Sequence, residues 1–294
     1  MGLGSAKNNY LSDDFNRFGI FDRATKFTSN QGHEIHYGVV HANEDTSFKG
    51  TMVLTTGYGQ SANNFGKTIK FFADQGYEVW AMDWHGHGLS GRDDPDHPDM
   101  PSTRGLKRHV FDLDQFVTDI VGPERKAGPF ILSTFSMGGH VGGLYLKDHP
   151  DTFDAAILGA PMFDIYRMDL PLWARPVVRN LFNAASAIGL GSVGLPRLTS
   201  AVTVLSKAVM DVKALLGRNK PQEQKQEIEE SRDALRARLR NPTSDWIRET
   251  WATTDQLLSP DNWKDVKTKI KLLIATDDDL VDNSAIRKVA TYIP

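Results

Sequence analysis

Cysteine is absent from the chain. That excludes disulfides, thiolate metal centres and a cysteine nucleophile, and it suits a reducing compartment. Net charge is scarce as well. The 34 Lys and Arg nearly balance the 37 Asp and Glu, leaving −3, so a strongly basic surface for nucleic acid is not expected. No uninterrupted apolar segment approaches the roughly 18 residues that span a bilayer. The opening stretch "MGLGSAKNNYLSDDF" lacks the apolar core of a secretory signal, and Ala6 stands where a myristoylation signal wants Ser or Thr. No internal repeat is found. These absences describe a soluble protein, expected in the cytoplasm or, at most, peripheral to the inner face of a membrane. Histidine is the last scarcity: nine occur, and none follows His149.

What is present is material for a core. With 294 residues, 40% hydrophobic and 24% charged, the chain can build one large α/β domain with an insertion, or two small domains. "ATKFTSN" and "HEIHYGVVH" read as an early strand pair with Gly32 between them. Buried strands follow in "TMVLTTG", "YEVWAMD", "PFILSTF", "FDAAILGAP" and "KIKLLIA". Helical stretches lie near 64–75 and 106–121, the second stopped by Gly122-Pro123, and another in "MGGHVGGLYLKDH". Apolar strands alternating with helices predict an α/β fold, a mostly parallel sheet with helices on both faces. From Ala160 to about Asn262 strand signals lapse and the pattern is helical. The expected division is a leader over 1–22, a first core part over 23–160, a helical cap or lid insertion over 161–262, and a second core part over 263–294. Such a cap would sit over the carboxyl ends of the strands.

In a parallel sheet, ligands bind beyond those carboxyl ends, which singles out three loops. The first follows "PFILSTF". Thr134-Phe135-Ser136-Met137-Gly138 matches the G-x-S-x-G strand–turn–helix pattern in its strand, serine, following glycine and helix. It departs from the pattern at Thr134. Strand and helix backbones nearly touch at such a turn, so a β-branched residue there is expected to crowd it. The bland alternative is a tight corner in which Ser136 merely caps the helix.

The second loop is "TTGYGQ". Acyl transfer needs main-chain N–H donors facing the developing oxyanion. One is expected from Met137, next after the serine. The other is expected from Tyr58, whose flanking Gly57 and Gly59 let the backbone come close; a plain glycine turn is the alternative. The third loop, after "KIKLLIA", reads Thr276-Asp277-Asp278-Asp279-Leu280-Val281-Asp282. One of these carboxylates can hold a histidine in its working tautomer, with a metal-binding or merely solvated acidic loop as the rival.

The order of these pieces resembles the α/β-hydrolase superfamily. Within it, "DWHGHGLSGR", "FSMGGH" and "TDDDLVDN" are similar to the lysophospholipase and monoacylglycerol-lipase-like branch of serine hydrolases. The similarity runs from about Ala24 to the last residue, the helical cap included. It implies hydrolysis of carboxylic esters of single-chain lipids, a lysophospholipid or a monoacylglycerol, with no cofactor and no metal. It places the nucleophile at Ser136, the oxyanion donors at Met137 and Tyr58, and the acid at Asp278. Asp277 and Asp282 become supporting or solvated groups.

The resemblance also implies a histidine roughly 25 to 30 residues after the acid. Sixteen residues follow Asp278, none of them histidine. The final strand, that histidine and the closing helix are therefore expected to be missing, as from a truncated chain, with activity impaired. His85 and His87, in the loop after Asp83, are the alternative base. A catalytically silent ligand-binding relative is the alternative function. Trp173 and Phe182, within the apolar stretch from Pro171 to Leu190, are the expected substrate-binding residues. They would line an acyl-chain tunnel or touch a membrane interface, packing on the core being the blander use of the same stretch. The expected partner is a small-molecule or lipid ester and not nucleic acid; head group, acyl length and oligomeric state stay open.

Overall fold

The computed structural model describes residues 15–16, 18–93, 105–165, 242–278 and 280–294, with the isolated positions 180, 183, 184 and 187. Among these residues seven strands form one sheet in the order β1-β2-β4-β3-β5-β6-β7. β1 (Arg23–Thr28) and β2 (Glu34–Val40) are antiparallel, and β2 is antiparallel to β4 (Tyr77–Met82). From β4 onward β3 (Gly50–Thr55), β5 (Phe130–Phe135), β6 (Ala155–Gly159) and β7 (Lys269–Leu273) all pair in parallel. The mostly parallel α/β sheet expected from the sequence is the one the chain adopts.

The pleat explains the continuous apolar runs. Val53, Trp80 and Met82 point to one face, Met52, Leu54, Val79 and Ala81 to the other, and all are buried. A strand covered on both faces has no polar side to show. The second face is covered by α1 (Gly66–Asp74) through Ile69, and by Phe15 and Phe21, which stack at 5.0 Å. The first face is covered by α2 (Leu106–Gln115), α4 (Met137–Asp148), α5 (Ser244–Leu257) and α6 (Asn283–Ala290). Between α2 and α4 comes a correction. Gly122-Pro123 does not end the helix after Val121. A π-helical turn over Phe116–Val121 leads into the short α3 (Gly122–Glu124), with Pro123 in its first turn. There the missing proline N–H removes no helical hydrogen bond.

Strand order positions the site. The chain leaves β3 to one side to make β4, then crosses back to the other side to make β5. That reversal sets the loops after β3 and β5 next to each other at the carboxyl edge, where such sheets open a crevice. Among the described residues no helix is long and apolar enough to cross a membrane.

Candidate active site

β5 passes into α4 through one residue. Ser136 has φ 52° and ψ −114°, a conformation non-glycine residues rarely adopt and one that costs about 1–3 kcal/mol. Its backbone is clamped there. The Ser136 N–H donates to Gly159 O at 2.9 Å, and Ser136 O accepts from the N–H groups of Gly139 at 2.9 Å, Met162 at 2.9 Å and His140 at 3.3 Å. Although Ser136 stands at the N-cap of α4, its side chain makes no capping bond. The capping alternative therefore fails. The residue is half-buried.

Thr134 does not crowd the turn, against expectation. It is buried, and the space it needs comes from two helix glycines. A Cβ on Gly142 would lie 3.0 Å from Thr134 Cγ2, and one on Gly139 would lie 3.4 Å from Thr134 Oγ1. Gly138 serves the other side, since a Cβ there would come within 2.7 Å of Thr56 O.

The loop after β3 meets the serine through Gly57, where a Cβ would lie 3.1 Å from Ser136 Cβ. Tyr58 follows at once. Neither the Tyr58 N–H nor the Met137 N–H has an acceptor among the described residues. Met137 opens α4, so its amide is one of the helix's orphan donors, at the end where the helix dipole favours negative charge. Among the described residues both sequence-predicted donors are unpaired, one in the residue after the serine and one in the loop whose Gly57 backs onto it.

The "DWHGHGLSGR" loop holds this arrangement. Trp84 is fully buried and its Nε1–H donates to Thr56 O at 2.8 Å. Asp83 accepts from Ala62 N–H at 2.6 Å and Leu89 N–H at 2.8 Å. Burial pushes the Asp83 carboxyl up to about 6, against the pull of those backbone bonds. Gly88, at φ 49°, has no room for a side chain beside Asp83 Oδ2. Sequence reasoning missed Trp84, although a buried indole usually finds an acceptor. Trp84→Phe is expected to lower stability by about 1–2 kcal/mol in urea unfolding, because Thr56 O loses its donor. Unchanged stability would show that Trp84 does not restrain the loop.

Asp278 is half-buried, and its Oδ1 accepts from Leu280 N–H at 2.8 Å and Val281 N–H at 2.9 Å. Asp277 is exposed, and Asp282 caps α6 through Ser284 N–H at 2.7 Å. Ile165 bridges to Val281, so the Asp278 loop adjoins the loop after β6 that clamps Ser136. Asp279, Trp173 and Phe182 lie outside the described residues.

Among the described residues no histidine ring hydrogen-bonds Ser136 or Asp278. His140 uses both ring nitrogens, Nδ1 at 2.7 Å from Met162 O and Nε2 at 2.7 Å from Thr253 Oγ1. His85 Nε2 is 3.0 Å from Asp93 Oδ1, and its ring stacks on His33 at 3.7 Å. His87 is buried with Nδ1 at 3.0 Å from His85 O, and burial lowers its pKa to about 3. A group with so low a pKa is a poor general base at neutral pH. His33, His85 and Asp93 bring ligand atoms within 4.8 Å of one another. The Arg108 guanidinium contacts His33 and lies 3.7 Å from Asp93, so arginine already supplies the positive charge there.

Comparison with known proteins agrees with this fold. The chain is 31% identical over 215 residues to lysophospholipase L2 of Escherichia coli (strain K12), a match covering 71% of this chain and 57% of that protein. Over 123 residues it is 30% identical to a monoacylglycerol lipase of Mycolicibacterium smegmatis, covering 40% of this chain and 39% of the other. These matches span about half the length of the relatives, or less. A soluble variant of monoglyceride lipase from Saccharomyces cerevisiae, solved with a substrate analog, shares the fold at TM-score 0.63 and 14% identity, over 92% of this chain and 82% of that one. The family model Hydrolase_4, described as serine aminopeptidase, S33, matches residues 46–294. With that match spanning the sheet from β3 to α6, the chain belongs to the Hydrolase_4 (serine aminopeptidase, S33) family of α/β hydrolases.

Proposed function

We propose that the chain is a serine hydrolase acting on carboxylic esters of single-chain lipids. One observation carries this reading: Ser136 stands at φ 52° with an uncapped hydroxyl, beside the loop of Gly57 and Tyr58, and neither the Met137 nor the Tyr58 N–H has an acceptor among the described residues. Its Oγ attacks the ester carbonyl carbon as the proton passes to a base. The two N–H groups hold the tetrahedral oxyanion. Collapse expels the alcohol and leaves the acyl group on Ser136, and water then releases the fatty acid. Asp278 is the acid that orients the base. Its Oδ1 is pinned by two amides, so Oδ2 is the oxygen turned to a histidine ring. Because no described histidine pairs with Ser136 or Asp278, this chain is expected to turn over slowly unless a base is added. The stretch holding Trp173 and Phe182, within the proposed cap over 161–262, receives the acyl chain. The named relatives, a lysophospholipase and a monoacylglycerol lipase, support the choice of a lipid ester.

A fluorophosphonate probe, applied with imidazole added as the base and followed by peptide mass spectrometry, tests the reading. One adduct is expected, on the peptide carrying Ser136. A folded chain whose Ser136 stays unmodified would favour the silent ligand-binding alternative.

A further inference from the structure

Ester cleavage leaves a neighbouring group of atoms without a role. The Tyr58 ring lies edge-on to His87, with centroids 5.3 Å apart, and to Trp246, 4.9 Å apart. Tyr58 Oη, His87 Nε2 and Trp246 Nε1 are all buried, and none has a hydrogen-bond partner among the described residues. Buried polar atoms are nearly always paired. Other buried polar atoms are also unpaired among the described residues, but these three come from separate segments and meet at one ring.

Each orphan has a definite sense. His87 Nδ1 faces the His85 carbonyl, which can only accept, so Nδ1 carries the ring proton. Burial keeps the imidazole neutral against the pull of its bond to the His85 carbonyl, with the Arg92 charge adding to the effect, and Nε2 is left as a bare lone pair. The Trp246 indole can only donate. The Tyr58 phenol does both, and burial raises its pKa, holding it protonated. One acceptor, one donor and one group that is both match hydroxyls, which themselves donate and accept. The set holds no cation, and the Nε2 lone pair opposes a phosphate. Tyr58 ties the set to the reaction, because its main-chain N–H is a proposed oxyanion donor and Gly57 beside it backs onto Ser136.

We propose that Tyr58, His87 and Trp246 form a subsite for the hydroxyl-bearing alcohol part of the substrate, favouring a neutral glycerol-type ester over a phosphate-bearing one. The subsite rests on the reading of Ser136 as the nucleophile. All three atoms are shielded from solvent, so the layer over them must open for the alcohol to enter.

The test uses 1-O-decylglycerol and decylphosphocholine, each below its micellar concentration, in isothermal titration calorimetry with the whole chain. The glycerol ether has no carbonyl to attack, so its binding does not depend on a working nucleophile. It should bind at least about tenfold more tightly than the phosphocholine, and about tenfold more weakly to Tyr58→Phe and to Trp246→Phe. Tyr58→Phe without ligand should melt no lower than the parent, since it deletes an oxygen bonded to nothing. Equal affinity for the two probes, no binding of the ether, unaltered affinity in both variants, or a lower melting temperature for Tyr58→Phe would each overturn the subsite. Ser136 labelling without ether preference sinks the subsite alone, whereas ether preference without labelling sinks the hydrolase reading alone.

Discussion

Alanine at position 136 is expected to end covalent labelling by a fluorophosphonate and to cut hydrolysis of p-nitrophenyl butyrate at least about a thousandfold, measured with added imidazole to supply a base. Removing the nucleophile of a working triad costs that much or more elsewhere. Stability should move the other way. Ser136 is held at φ 52°, which alanine tolerates no better than serine does. Glycine adopts such a φ freely. Ser136→Gly should therefore be as inactive as Ser136→Ala yet more stable by about 1 kcal/mol in urea unfolding. Equal stability of the two variants would mean that the turn stores no strain. Full activity in either would remove Ser136 from the chemistry.

That strain is local, and local features were the ones the sequence made plain. A β-branched run, a serine and two glycines within ten residues are enough to announce strand, turn and helix. The same holds for the free amide at Met137, which any helix start would leave unpaired. What stayed hidden depends on contacts between distant segments. The tolerance of Thr134 needs Gly142 on the facing helix, whose spacing carries no motif. The burial of His140 has the same cause, since its partner Thr253 is 113 positions away. The link from Trp84 to Thr56 and the meeting of Tyr58, His87 and Trp246 are tertiary facts of the same kind. Pro123 misled for a different reason: a proline ends a helix only where its N–H was needed, and a π turn had already reset the register.

Acid should unfold the protein well before its carboxylates are fully protonated. His87 and His140 are buried and neutral, with burial lowering them to about 3 and about 4, and burial drives His109 well below its ordinary value too. An unfolded histidine titrates near 6.5. Between that value and the folded ones, the unfolded chain binds protons that the native chain refuses, so stability present above pH 6.5 is lost as pH falls. At about 1.4 kcal/mol per pKa unit, His140 and His87 each remove up to about 3 kcal/mol by pH 4. Asp83 works in the opposite direction. Its folded pKa is raised to about 6, so the native state takes up this proton first and regains up to about 3 kcal/mol on the way to pH 4. Asp112, whose carboxyl burial also raises, acts the same way. The three buried histidines still outnumber the two carboxyls, and the net loss is a sizeable part of the 5–15 kcal/mol that typically holds a domain together. Melting temperature should drop steeply from pH 6.5 to pH 4, and a flat or rising profile would contradict the buried neutral state. The His87 ring signal in NMR should show no titration above pH 5. That second readout bears directly on recognition, because a protonated Nε2 could not accept a substrate hydroxyl, and the burial that makes the fold acid-labile is the same burial that keeps this lone pair available.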